Sequence, residues 1–130
     1  MPKKESLLPQ DWFVKAERDL QTAELLWREK GHAEMIGFHL QQGLEKSLKG
    51  FLLSKKWRLK RTHDLVALLN EAVGYEPSLE SFRDTCQQVT EFYIEERYPF
   101  LISSSVTYET IQPLMPAVRL LVAKLRELSR

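Results

Sequence analysis

The stretch that decides the fold is "IGFHLQQGLEKSLKGFLL", residues 36–53. Large apolar side chains recur in it at steps of three or four residues, which is the repeat of one buried helical face. Polar side chains fill the opposite side of the same helix. This second helix is expected to last until about Lys56, and its core-facing residues are Ile36, Leu40, Leu44, Leu48, Phe51 and Leu52.

The same repeat continues on both sides of this stretch. A first helix is predicted roughly over Pro9–Lys30, with Gly31 placed where a C-terminal cap is expected. Thr62 is a suitable N-cap for a short third helix that Gly74 can end, and Pro77 opens a fourth element. A fifth helix runs towards the C-terminus. The apolar repeats that define these helices are Trp12, Ala16, Leu20, Ala23 and Trp27; Leu65, Leu68, Leu69 and Ala72; Leu79, Phe82, Cys86, Val89 and Tyr93; and Ile111, Leu114, Val118, Leu121, Leu125 and Leu128.

These segments predict an all-α fold. The stretch "RYPFLISSSVT", residues 97–107, favours an irregular connection, and no convincing strand pair or internal repeat is found. Helices that are apolar on one face can bury that face only against each other. We therefore expect an antiparallel up-and-down helical bundle with four long helices and one short helix, as a single domain over residues 1–130.

Composition excludes several classes of protein. The 130 residues are 43% hydrophobic and 28% charged, with a net charge of +1, so no global field draws the chain to nucleic acid or membrane. The single cysteine, Cys86, excludes an internal disulfide and a Cys-rich zinc site, and no metal site or cofactor is expected. Without a long apolar segment, we expect a cytoplasmic protein with no membrane contact.

One face of the second helix carries a coherent polar stripe. His39, Gln42, Lys46 and Lys49 fall within an arc of roughly 80° at 100° per residue, and Glu45 borders it. Its donors suit a phosphate, although an ordinary solvated face has the same pattern. The small residues Gly43, Ser47 and Gly50 form a seam beside this stripe, which indicates a close approach of another element.

The basic stretch "SKKWRLKRTHDL", residues 54–65, follows this helix directly and extends its cationic face. Its Lys and Arg side chains can neutralise phosphates of a nucleotide or RNA. Trp57 can stack on a base, or it can pin the connection to the core. His63 near a helix N-terminus can donate to a phosphate or help to cap the helix, and Asp64 can orient His63 or Lys49.

Three ordered motifs carry a family resemblance. They are "FHLQQGLEKSLKGFLL", "THDLVALL" and "YIEERYP", and together they resemble the HEPN domain, in the branch found beside minimal nucleotidyltransferases. The family pattern falls on residues of the second helix, on the start of the third helix and on the end of the fourth. Those positions are Phe38, His39, Gln41, Gln42, Glu45, Lys46 and Lys49; Thr62, His63, Asp64 and Leu65; and Arg97, Tyr98 and Pro99.

The resemblance implies an all-α bundle, commonly dimeric. It also implies a role in binding nucleotide, or in partnering a nucleotidyltransferase within a toxin–antitoxin-like pair. Its ligand site would comprise His39, Gln42, Lys46, Lys49, His63 and Arg97, with Gln41, Glu45, Thr62, Asp64, Tyr98 and Pro99 as structural motif residues. Pro113 and Pro116 depart from regular helix, so the last helix should start late or be kinked.

Two alternatives stay open. Many HEPN proteins are metal-independent ribonucleases with an Arg, four to six intervening residues and then a His. Arg58 and His63 have this spacing, although they lie earlier in the chain than the motif of those relatives. A bundle that only mediates protein interactions is the other alternative. Arg97 can pair with nearby glutamates instead of a ligand, Cys86 is read as a core residue, and the apolar residues 100–102 offer a dimer contact.

Overall fold

The prediction of an all-α bundle is confirmed. The structure is a computed structural model that describes residues 4–94 and 106–130. Arg97, Tyr98, Pro99 and the apolar residues 100–102 lie outside the described residues. The helices are α1 (Pro9–Arg28), α2 (Ala33–Ser54), α3 (Leu65–Tyr75), α4 (Arg83–Val89), α5 (Tyr108–Ile111) and α6 (Leu114–Leu128), with 3-10 helices at Pro77–Phe82 and Thr90–Phe92.

Helix α2 lies at the centre of the bundle and contacts all of the other α-helices. Only residues 29–32 separate it from α1, so the two helices form an antiparallel hairpin. Its apolar face is buried along its whole length, from Ile36 to Leu53. The stretch that predicts the fold is therefore the part of the chain around which the other helices pack. No helix in the described ranges is long and apolar enough to cross a membrane.

Helices α1 and α2 pack closely because α2 presents small residues to α1. A Cβ atom added at Gly43 would lie 2.6 Å from the side chain of Leu20, and one at Gly50 would lie 3.0 Å from the ring of Phe13. The close approach expected from the small-residue seam is therefore present. Ser47, between the two glycines, is fully buried, and its hydroxyl has no hydrogen-bond partner in the part of the chain that the structure describes.

The apolar face of α1 is rotated slightly from the predicted one. Phe13 is buried together with Ala16, Leu20 and Ala23, whereas Trp12 and Trp27 are only half-buried at the edges of the contact. A helical wheel does not distinguish neighbouring positions at the border of an apolar arc. The contact with the glycines of α2 decides that Phe13 points inward.

Both long helices end with a lysine in the left-handed region, which corrects the predicted cap at Gly31. Lys30 has φ 57° and Lys56 has φ 63°. After α1, the amide of Gly31 donates to Leu26 and that of Lys30 donates to Trp27; the same pair of bonds closes α2. This is the Schellman arrangement, and it ends both helices earlier than predicted, at Arg28 and Ser54.

The connection from α2 to α3 is fixed to the core. Trp57 is buried, and its indole nitrogen donates to Glu71 of α3 at 2.9 Å. Of the two roles predicted for Trp57, the structure therefore shows the one that pins the connection. Lys60 also binds Glu71, at 2.8 Å.

The N-cap of α3 is Asp64, which corrects the prediction of Thr62. The carboxylate of Asp64 accepts hydrogen bonds from the amides of Val66 and Ala67, while Thr62 accepts one from the amide of Asp64. An ionised carboxylate at this position also interacts favourably with the helix dipole. Gly74 lies within α3, which ends one residue later at Tyr75.

The fourth predicted helix is present as three consecutive helical segments. Pro77 starts a 3-10 helix, α4 follows, and a second 3-10 helix ends at Phe92. The backbone changes at Phe82, which has φ −99° and ψ 9°, so one regular helix does not continue through this point. The apolar repeat still reaches the core, because Leu79, Cys86 and Val89 are fully buried. Burial raises the pKa of the Cys86 thiol to about 12.

Pro113 lies between α5 and α6, so neither C-terminal proline is in a helix interior. Pro113 is the N-cap residue of α6, and Pro116 lies in its first turn, where the amide has no partner within the helix. Of the two predicted outcomes, a late start and a kink, the structure shows the late start at Leu114.

Arg119 ties α6 to α1. It binds Glu17 and Glu24 with four nitrogen–oxygen distances of 2.8–2.9 Å. Hydrogen bonds from Arg119 hold the pKa of both carboxyls below the ordinary value, and the same bonds raise the pKa of the guanidinium.

Candidate functional site

The polar stripe of α2 divides into two groups of side chains. We call Asp19, His39 and Lys46 the outer triad, because these side chains are partly exposed between α1 and α2. We call Gln41, Glu45, Lys49 and His63 the inner network, because three of these four side chains are buried, and Gln41 and Glu45 bind His63 just before the start of α3.

In the outer triad, one carboxylate of α1 holds two side chains of α2. His39 Nδ1 lies 3.0 Å from Asp19 Oδ1, and Lys46 Nζ lies 2.5 Å from Asp19 Oδ2. The side chains of His39 and Lys46 remain 23% and 25% exposed, so both are accessible from solvent. Their carboxylate partner was not identified from the sequence. Asp19 sits three residues after Ala16 and four before Ala23, a position on the border of the apolar face of α1 that could have indicated contact with α2.

Glu45 is the centre of the inner network. Its carboxylate accepts from Gln41 Nε2 at 3.1 Å, from Lys49 Nζ at 3.0 Å and from His63 Nδ1 at 2.8 Å. The Glu45 and Lys49 side chains are each 6% exposed. A buried carboxylate and a buried ammonium are stable only when paired, so each requires the other.

The network also fixes the backbone before α3. Gln41 Nε2 donates to the carbonyl oxygen of His63 at 3.1 Å, and Gln42 Nε2 donates to Gln41 Oε1 at 2.7 Å. The two glutamines, the glutamate and the histidine of the sequence motifs thus meet in space, although 18 residues separate Glu45 from His63. The hydrogen-bonded side-chain amides of Gln41 and Gln42 thus link α2 to the backbone just before α3.

His63 is held in one orientation by contacts on two sides. Its ring stacks on Tyr93 with centroids 4.1 Å apart and an angle of 14° between the planes, while Nδ1 faces Glu45. The side chain is 48% exposed, and Nε2 has no hydrogen-bond partner among residues 4–94 and 106–130. A carboxylate on one ring nitrogen sets the tautomer and leaves the other nitrogen for a ligand or substrate.

Arg58 and His63 are not joined in the described part of the chain. Arg58 is exposed on the connection after Trp57, and no hydrogen bond or ion pair links it to His63 within that part. Lys55 and Arg61 are also exposed there, so the cationic surface predicted for residues 55–61 is present apart from the ion pair of Lys60 with Glu71.

Lys49, which was predicted as a ligand residue, is buried. Its ammonium faces Glu45 and lies 5.7 Å from the centre of the Trp12 ring, beneath the surface. Lys46 and His39 are the members of the predicted stripe whose charged or polar ends reach solvent together. Among the described residues, no group of three or more His, Cys, Asp and Glu side chains is arranged to hold a metal ion.

The fold and site define an all-α bundle whose central helix presents His39 and Lys46 beside α1 and holds His63, on the connection before α3, through Glu45. The chain belongs to the HEPN domain family, whose model matches residues 9–128. No curated protein matches the chain.

Two solved structures are similar over nearly the whole chain. An archaeal HEPN homologue, ST0689, has a TM-score of 0.73 at 23% identity, covering 95% of this chain and 98% of its own. The protein TT1696 from Thermus thermophilus has a TM-score of 0.75 at 22% identity, covering 92% of this chain and 97% of its own. At these identities the likeness shows the fold.

Proposed function

We propose that this HEPN-domain protein is a non-catalytic nucleotide-binding or partner subunit. In this proposal it forms a homodimer and acts with a minimal nucleotidyltransferase that supplies the chemistry, in a toxin–antitoxin-like pair. The nucleotidyltransferase branch rests on the resemblance of three motifs: the α2 stripe, residues 62–65 and the Arg97-Tyr98-Pro99 element.

The observation that carries the binding proposal is the fixed imidazole of His63. Glu45 and Tyr93 hold the ring in place, its side chain is 48% exposed, and the connection that leads to it carries the exposed cations Lys55, Arg58 and Arg61. A donor that is already oriented loses little conformational freedom when it binds a phosphate. The geometry therefore favours recognition of an anion at this surface.

The roles within the site differ from those suggested by the stripe alone. His39 and Lys46 supply exposed donors, and Gln42 lies between them and the inner network. Lys49 supports the site from beneath by balancing the charge of Glu45. Arg97 stays in the proposal as a further phosphate contact.

Calorimetric titration of the protein with ATP, GTP and a short RNA tests binding. We expect saturable binding that weakens at least tenfold in Lys46→Ala and in His63→Ala. His32→Ala is the matched control, because His32 is also accessible to solvent but lies on the connection between α1 and α2. Absence of binding by the wild-type protein to all three ligands would refute the nucleotide-binding arm of the proposal.

Light scattering after mixing with a purified minimal nucleotidyltransferase tests the partner. We expect a dimer alone and a larger complex of defined stoichiometry after mixing. A monomer that forms no complex would refute the subunit arm. An interaction-only bundle would instead form the complex without binding any ligand, and the motif residues would then serve only to lock the helices together.

A dimeric metal-independent ribonuclease is the second candidate, and the Glu45–His63 pair favours it. An imidazole oriented by a carboxylate can act as a general acid or base, and Arg58 of a dimer could stabilise the charge on phosphate. This candidate predicts RNA cleavage in EDTA that His63→Ala and Arg58→Ala abolish and His32→Ala retains. Cleavage that persists in both active-site variants would refute it.

A further inference from the structure

A cleft on the outer side of α1 is not explained by the site described above. It has a volume of about 500 Å³ and lies between the N-terminal segment, the first turns of α1 and Lys46 of α2. Clefts of about 300–1,000 Å³ are the usual size for small-molecule sites. Its lining residues are Glu5, Ser6, Asp11, Trp12, Val14, Lys15, Arg18 and Lys46.

One wall of the cleft is cationic. Lys15 and Arg18 lie three residues apart on α1, so they project from the same face of the helix. Both are exposed, and within the described ranges neither side chain forms a hydrogen bond or an ion pair. Lys46 completes this wall from α2. Two uncommitted cations and a third beside them favour a ligand with a phosphate group, which can accept hydrogen bonds from all three.

An indole ring lines the cleft beside these cations. Trp12 is half-buried, and its Nε1 donates to the carbonyl oxygen of Ser6 at 2.8 Å, which fixes the ring against the N-terminal segment. Val14 adds apolar surface. A fixed aromatic side chain next to cations is suited to a base joined to a phosphate, because every base can stack on a π face.

Carboxylates occupy the remaining side. Asp11 accepts a hydrogen bond from the hydroxyl of Ser6 at 2.6 Å and keeps further acceptor positions free, and Glu5 lies beside it. These oxygens can accept from ribose hydroxyls or from an exocyclic amino group.

The geometry points to this cleft as the place where a nucleoside phosphate binds, with its phosphate against Lys15, Arg18 and Lys46 and its base against Trp12. This inference rests on the proposed function for its ligand class and adds a second position for that ligand, which shares Lys46 with the site described above and does not include His63. It assigns binding roles to Trp12, Lys15 and Arg18, which none of the sequence motifs contains.

The test is titration of the full chain with ATP and with inorganic pyrophosphate. We expect Lys15→Ala/Arg18→Ala to weaken ATP binding at least tenfold. The matched control is Arg28→Ala/Lys124→Ala, which also removes one arginine and one lysine, from the end of α1 and from α6; its affinity should equal that of the wild type. Equal affinity in both double variants, with wild-type binding intact, would overturn this inference and leave the proposed function standing.

A second variant tests the orientation. Trp12→Leu should weaken ATP binding several-fold and leave pyrophosphate binding unchanged, because only the nucleoside contacts the ring. Equal loss for both ligands would overturn the stacking contact. If thermal unfolding shows that Trp12→Leu does not fold, Trp12→Phe replaces it, with a smaller expected loss for ATP alone. Wild-type protein that binds no nucleotide would remove this inference together with the nucleotide-binding proposal.

Discussion

Removal of either member of the buried Glu45–Lys49 pair is expected to destabilise the protein strongly, and removal of both should not. Each side chain is 6% exposed, and their atoms are 3.0 Å apart. Loss of one partner of such a pair costs about 3–5 kcal/mol, because it leaves an uncompensated buried charge. The loss of stability for Glu45→Leu should lie at the upper end of this range, because Gln41 and His63 lose their hydrogen-bond acceptor as well.

Lys49→Met belongs at the lower end, about 3 kcal/mol, because Glu45 keeps its two other donors. In the double variant Glu45→Leu/Lys49→Met, no charge is left buried, and well-packed apolar replacements of ion pairs are often neutral. The two lost hydrogen bonds of Gln41 and His63 cost about 1 kcal/mol each. We therefore expect the double variant within about 2 kcal/mol of the wild type.

Urea unfolding followed by circular dichroism at 222 nm measures this cycle. With a slope of about 2 kcal/mol per molar urea, a loss of 4 kcal/mol moves the midpoint by about 2 M. If Glu45→Leu does not fold, comparison of Lys49→Met with the double variant still tests the reasoning, since the double variant should be the more stable. A double variant as unstable as the sum of the two single variants would refute it.

Gly43→Ala should lower the free energy of unfolding by about 1–3 kcal/mol, because the new methyl group meets buried Leu20. Gly74→Ala, on open surface, should raise it by about 0.5–1 kcal/mol. Urea unfolding measures both variants, and a gain at both positions would contradict the close packing at Gly43. Lys56→Gly should raise the free energy of unfolding by about 1 kcal/mol, because a lysine at φ 63° is strained and a glycine is not. An unchanged or lower midpoint of urea unfolding would contradict that strain. Arg119 lowers the pKa of Glu17 and Glu24 from the ordinary value of 4.5. Its contribution to folding stability is therefore fully present above that pH and is lost as the pH falls through the lowered pKa values of the two carboxyls. Because these groups are about one-third exposed, Arg119→Ala should lower the free energy of unfolding by only about 1 kcal/mol at pH 7. Between pH 5 and 3 the stability of the variant should fall less steeply than that of the wild type. Equal acid sensitivity of the variant and the wild type would contradict this.

Several features of the candidate site are visible in the sequence. The helical positions of His39, Gln42, Lys46 and Lys49 place them on one side of α2, and the Thr-His-Asp-Leu element correctly indicates the start of a helix. Periodicity gives the face of a residue but not its partner. The partner Asp19 lies 20 residues before His39, on another helix, so its role depends on the packing of α1 against α2.

The roles of two lysines show the same limit. Lys46 and Lys49 have equal standing in the sequence, yet one is a quarter exposed and the other is buried beside Glu45. Lys49 lies against Glu45 and the Trp12 ring of α1, whereas Lys46 pairs with Asp19 at the partly exposed edge between α1 and α2. The cleft beside Trp12 depends likewise on the N-terminal segment, whose Ser6 carbonyl binds the indole.

The sequence by itself determined the class of fold, because the apolar repeat of each helix is a local property of consecutive residues. It also indicated that the last helix starts late or is kinked at its prolines, since proline is disfavoured in a helix interior. Tertiary structure alone decided which polar residues of α2 are internal supports and which reach solvent. That division depends on contacts between residues distant in the chain, and a buried charge persists only where the fold brings it a partner.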